Sequence, residues 1–209
     1  MRPLPVVIVL AVLFSGYQWL SDRPIVWGPG EMAADDPLQQ PVQDEEPRSS
    51  TRVNAEEYEL VPRASFEAQV RVLARERYYL GRFSDVAPLD LAVGWGPMSD
   101  SAVLDELDIS QSGRFYFWQS KTNELPLERS EISGHSANWH LVPVNDQVWS
   151  QLKSVRVGDL VELSGELIDI EGNDGWQAMT SQTRTDTGAG ACEIILVERV
   201  RIGPGVVGS

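Results

Sequence analysis

"VRVGDLVELSGELIDIEGNDGWQAMTS", residues Val155 to Ser181, decides the fold class. Val161 and Leu163 alternate with Glu162 and Ser164, the two-residue period of a strand with one buried face. Leu167 and, across Ile168 and Asp169, Ile170 carry the pattern on. The stretch reads as strand, Gly158-Asp159 turn, strand, Gly165, strand, tight turn and strand. A glycine inside such a run predicts a bulge or a sharp bend, as at the corner of a small barrel. Asn173-Asp174-Gly175 closes a hairpin, because these residue types accept the positive φ a tight turn demands.

Working outward, "CEIILVERVRI" (Cys192 to Ile202) is the last strand, apolar at Ile194, Ile195, Leu196, Val197, Val200 and Ile202. Upstream, Phe66, Ala68, Val70 and Val72 share one face and Glu67, Gln69 and Arg71 the other, which favours strand over helix for Ser65 to Leu80. "RFYFWQS" (Arg114 to Ser120) is a strand apolar on both sides. Such a strand is either central and covered, or turns one aromatic face to a partner. Ser99 or Asp100 caps a short helix over 101–107, "DQVWSQL" (Asp146 to Leu152) makes one or two helical turns, and "SGHSANWHLVPVN" reads as loop and short strand. Asp105, Glu106 and Asp108 crowd the end of the 101–107 helix, where the macrodipole disfavours acids. The two readings there are an exposed acidic face and the neighbourhood of a cation or basic partner.

Val157-Gly158-Asp159 followed by Gly165 resembles the middle strands of bacterial OB-fold-like barrels, in which a valine-glycine-aspartate turn opens a strand that bends at a second glycine. The fold class is therefore mainly β, α+β with short helices, and the resemblance implies a small antiparallel OB-like or related barrel. "GWGPMSD", "HSANWH" and "DTGAGACE" resemble an uncharacterised group of bacterial proteins with an N-terminal membrane segment, which implies no activity. OB barrels bind nucleic acids or sugars, and Trp95, Trp118, Trp139 and Trp176 either stack on sugars or fill the core.

Charge bears on that choice. The 209 residues carry a net charge of −14. Residues 28–60 hold nine acids against two arginines, and the chain from Val61 onward holds 21 acids against 13 basic residues. An acidic domain repels phosphate backbones, so nucleic acid is not expected as a partner. By the same argument, adsorption to an anionic membrane surface is disfavoured.

"PLPVVIVLAVLFSGYQWL", residues 3–20, has no charge and the length of a membrane-crossing helix. Tyr17 and Trp19 mark its outer end. The segment is read as an uncleaved anchor over 1–23, with a cleaved signal peptide as the alternative; no small-x-small cleavage site follows the apolar run. The acidic, proline-rich stretch over 24–57 has too little apolar surface to offset its ordering entropy, and reads as an extended tether. A β-rich extracytoplasmic domain over 58–205 and a tail over 206–209 complete the chain.

Two motifs overlap in "TDTGAGAC", Thr185 to Cys192. Asp186 to Ala189 resembles the catalytic loop of aspartic proteases, which pair two such carboxylates around one proton. One loop per chain implies a homodimer, and the flank "SQTRT" departs from the buried apolar strand that precedes the family's aspartate. The other reading is a turn held by the Asp186 and Thr187 side chains. Cys192 is the only cysteine. As a nucleophile it would need His135 or His140 as base, with Asn138 as orienting group; otherwise it is a buried, inert thiol opening a strand. His135, His140 and Cys192 could together make a three-ligand zinc set, but spacing of five puts the histidines on opposite faces of a strand. "DIEGNDGW" matches a calcium loop too poorly to displace the hairpin reading.

The expectation is a single-pass protein of the bacterial inner membrane, held through residues 3–20, with its bulk in the periplasm. Secretion to the periplasm after signal cleavage is the alternative. It acts as a binding or assembly module with a protein partner or as a homodimer, without nucleic acid, metal or cofactor. Trp95, Asp100, Asn138, His140, Arg184 and Asp186 are the expected ligand-touching residues. The rival is a hydrolase that uses Asp186 in a dimer, or Cys192 with His135 or His140.

Overall fold

The computed structural model describes residues 23–33, 36–41, 49–53, 56–183 and 192–203. They form a β-rich structure with short helices. In chain order the elements are β1 (Leu38–Pro41), β2 (Ser49–Val53), β3 (Glu56–Arg77), α1 (Arg82–Val86), β4 (Leu89–Gly94), a 3-10 turn (Gly96–Ser99), α2 (Ser101–Leu104), β5 (Leu107–Ser112), β6 (Phe115–Ser120), α3 (Arg129–Gly134), β7 (Ser136–Pro143), α4 (Asp146–Ser154), β8 (Leu160–Gly172), β9 (Gln177–Ala178) and β10 (Glu193–Gly203).

One long strand organises the sheet. β3 pairs with β8 from Tyr58 to Arg71 and with β4 from Arg71 to Arg77, so it serves two neighbours in turn. β4 pairs with β7, β7 with β10 in parallel, and β10 with β8. These pairings return to β3, a ring of five strands in which only β7 and β10 run parallel. A parallel pair needs a long crossover, and α4 with β8 supplies it. Gly165 lies within β8 and faces Val197, where β10 shifts register before Arg199. A Cβ on Gly165 would run into the Leu196 carbonyl, so the close approach at the bulge requires glycine. Asn173 to Gly175 turns β8 into β9 with Gly175 at φ 87°, as expected of the tight turn.

The inward faces alternate along every strand of the ring. Val70, Val72, Leu89, Leu91, Val93, Trp139, Leu141, Val161, Leu163, Ile195 and Val197 form one buried cluster, with Phe66 edge-on to Trp139 at 5.1 Å between ring centres. A second cluster on the outer side gathers Val86, Val142, Ile168, Ile170, Ile194 and Leu196.

Several expectations need correction. β7 is an eight-residue strand in the middle of the ring, not a loop with a short strand. Val155 to Val157 is not a strand but the exit from α4, and Gly165 does not interrupt β8. The 101–107 helix stops at Leu104, because Leu107 already opens β5. The free tether over 24–57 fails in its first half. The Ile25 N–H donates to the Val157 carbonyl at 2.8 Å, and Trp27 Nε1 to the Gly158 carbonyl at 2.7 Å. The N–H groups of Met32 and Ala33 share the Ser99 Oγ, and β1 pairs with β3. Ala33 is fully buried, so a small residue and backbone pairing do what large apolar side chains do elsewhere. The apolar segment over 3–20 lies outside the described residues, and among those described no helix is long and apolar enough to cross a membrane.

Candidate functional site

On β4 and β7 the face turned away from the ring interior carries polar residues. Asp90 stands opposite His140, and Ala92 opposite Asn138. Alternation would normally leave such a face in water, yet Asp90 is fully buried and Asn138 and His140 nearly so. The cover is α1 and the β5–β6 hairpin, a separate two-stranded sheet inserted between β4 and β7.

The hairpin turn delivers the central residue. Gly113 (φ 61°) and Arg114 (φ 73°) both lie in the left-handed region, as a two-residue turn of the primed type requires. Arginine there costs about 1–2 kcal/mol relative to ordinary backbone. Its Nη1 donates to Asp90 Oδ1 and to the Ala87 carbonyl, both at 2.8 Å, and its Nη2 donates to Ser84 Oγ at 2.8 Å. The guanidinium lies 3.7 Å from the Tyr78 ring centre and 4.8 Å from that of Phe83. The Arg114 N–H donates to the Tyr78 hydroxyl, and its carbonyl accepts from Asn138 Nδ2 at 3.1 Å. Gln111 of β5 closes the network by donating to Asn138 Oδ1 at 2.6 Å. Burial, then the Asp90 charge, raises the Tyr78 phenol above its ordinary value.

His140 Nδ1 lies 2.9 Å from the Asp90 Oδ1 that Arg114 also contacts, and its ring stands edge-on to Phe83. An aspartate beside a histidine Nδ1 can orient a general base, but here the same oxygen is held by a guanidinium. The geometry is that of an ion-pair clamp: a carboxylate that would be costly alone is matched by an arginine reaching from the inserted hairpin. Cys192 lies two residues before Ile194, the register partner of His140, so it shares the outer face; its Sγ is 4.0 Å from the Arg114 carbonyl.

Of the residues singled out from sequence, Asn138, His140 and Cys192 come together here. His135 does not; it sits at the exit of α3 with its Nδ1 against the Glu131 carbonyl and its ring beside Trp95. Trp95 is 2% exposed, packed in the ring core with Nε1 donating to Asp36 at 2.6 Å, so it serves the core and not a surface ligand. Asp100 is the helix cap, accepting from the N–H groups of Ala102 and Gly30, which together hold its carboxyl below the ordinary value. Trp139 is core, while Trp118 turns inward beneath the hairpin. Near the acids after α2, buried Arg71 donates to the Ser99 carbonyl and the Ser101 hydroxyl, and Lys121 donates to the backbone carbonyl of Asp105. Burial lowers the Arg71 pKa, with Asp105 and Asp100 opposing. Arg184 and Asp186 lie outside the described residues.

Comparison with protein-family models, curated proteins and solved structures returns no match. Among the described residues no group of three His, Cys, Asp or Glu side chains is placed to hold a metal.

Sequence reading missed Asp90, Arg114, Tyr78 and Gln111. A signal existed for the first: Asp90 interrupts the apolar run "LDLAVG". Arg114 carries none, since only the turn geometry turns it inward.

Proposed function

We propose that the chain is a membrane-anchored envelope protein whose five-strand ring is an OB-type barrel used as a binding or assembly module. The order of pairing supports the barrel: the first strand pairs with the second and fourth, and the third runs parallel to the fifth, with a helix between the third and fourth. One observation carries the module reading. The clamped hairpin occupies the outer face of β4 and β7 and turns Phe115 and Phe117, 42% and 51% exposed, to solvent, while Tyr116 and Trp118 pack inward. Large exposed aromatics on a rigid sheet are the residues that anchor protein partners. The inner membrane, through residues 3–20, and a periplasmic location complete the reading.

The test is complementation of a deletion strain. Paired Phe115→Ser and Phe117→Ser substitutions abolish function without unfolding the domain, while Cys192→Ser and Asp186→Asn leave it intact. Loss of function in either loop variant, with the domain still folded, would favour the hydrolase. A reporter fused after Ser209 that works only in the cytoplasm would overturn the location.

A further inference from the structure

The strap that replaces the expected tether changes where the domain sits. Ile25 is already hydrogen-bonded to Val157, and Trp27 to Gly158. Only Ser21 to Pro24 separate the apolar segment from that bond, a span of at most about 17 Å. If residues 3–20 cross the bilayer, the turn between α4 and β8 is held at its surface.

Cations gather around that turn. Arg75 donates to the carbonyls of Val155 and Lys153, at 2.7 and 3.4 Å, which gathers it against the end of α4. Lys153 and Arg77 both lie over the Trp149 ring, at 5.4 and 5.3 Å, and Arg77 also over that of Tyr79, which is 72% exposed. Arg156 follows in the turn, a third exposed and 3.7 Å from Asp159. Four cations and two aromatic rings thus collect where the strap docks, although acids outnumber bases along the chain. Arg75 and Arg77 are half-buried; Lys153 is exposed. Cations with interfacial aromatics are the composition that favours a headgroup layer.

We infer that the surface formed by Lys153, Arg156, Arg75 and Arg77, flanked by Trp149 and Tyr79, seats the domain on the anionic phospholipid headgroups beside its own anchor. The inference rests on the anchored reading above. It reverses the expectation drawn from net charge, because the chain length between anchor and domain selects a face on which four cations lie together.

The experiment uses the full-length chain reconstituted in liposomes of phosphatidylcholine, with or without phosphatidylglycerol. A fluorophore on Ser154→Cys in a Cys192→Ser background reports quenching by a lipid-borne acceptor. Phosphatidylglycerol increases the quenching, and 0.5 M salt, which shortens the screening length to about 4 Å, removes the increase. Lys153→Gln and Arg156→Gln each lower the ratio of seated to lifted domain about fivefold. Arg201→Gln, at an exposed arginine of β10, leaves it unchanged. Equal quenching with and without the anionic lipid, in protein that still floats with the liposomes, overturns the seating alone. Protein released from the liposomes by alkaline wash overturns the anchor, and the seating with it.

Discussion

The inner and outer faces of β4 and β7 are both buried, by different means. Inside, Leu89, Leu91, Trp139 and Leu141 are fully enclosed and depend on packing. Outside, Asp90, Asn138 and His140 are enclosed because α1 and the hairpin inserted between β4 and β7 lie over them, and the hairpin supplies Arg114. Apolar burial tolerates a change of neighbours of similar volume. For Asp90 the matching cation, Arg114, comes from the same hairpin that helps to bury it. The inner face therefore fixes the five-strand ring, and the outer face fixes where the hairpin, with its exposed Phe115 and Phe117, is presented.

The largest effect belongs to the inner face. Trp139→Ala removes the ring packed edge-on against Phe66 and costs about 3–5 kcal/mol of global stability in urea titrations. A loss below 1 kcal/mol would mean that the centre of the ring is not closed as described.

A smaller effect falls under the hairpin. The Tyr116 hydroxyl bonds Ser136 Oγ at 2.6 Å, and burial pushes its phenol up to about 12. Tyr116→Phe costs about 1 kcal/mol at neutral pH. The native phenol holds its proton longer than the unfolded one, so wild-type stability falls as pH rises from about 10 towards 12, by at most about 1.4 kcal/mol per pH unit. Urea titrations across that range should show this slope, and Tyr116→Phe should flatten it. Equal slopes would place Tyr116 in solvent.

Much of the β-rich ring was legible because β8, β10 and β3 alternate with clear apolar faces. β7 was not, since "HSANWHLVP" carries polar residues on a face whose burial depends on a hairpin twenty residues upstream. The strap was hidden for a related reason. Gly30, Met32 and Ala33 dock through backbone N–H groups on Ser99 and Asp100, and composition does not record backbone partners. At the site, Asn138, His140 and Cys192 were found as residue types, but their role depends on Asp90 and Arg114, which only the fold brings together.

Amide hydrogen exchange of Arg114→Ala against wild type tests the clamp most directly. Removing the guanidinium leaves the Asp90 carboxylate uncompensated, a loss of about 3 kcal/mol relieved when the hairpin lifts. Protection over Leu107 to Ser120 should fall by about two orders of magnitude, while β8 and β10 keep most of theirs. Equal loss in hairpin and ring, or a hairpin already unprotected in the wild type, would contradict the account.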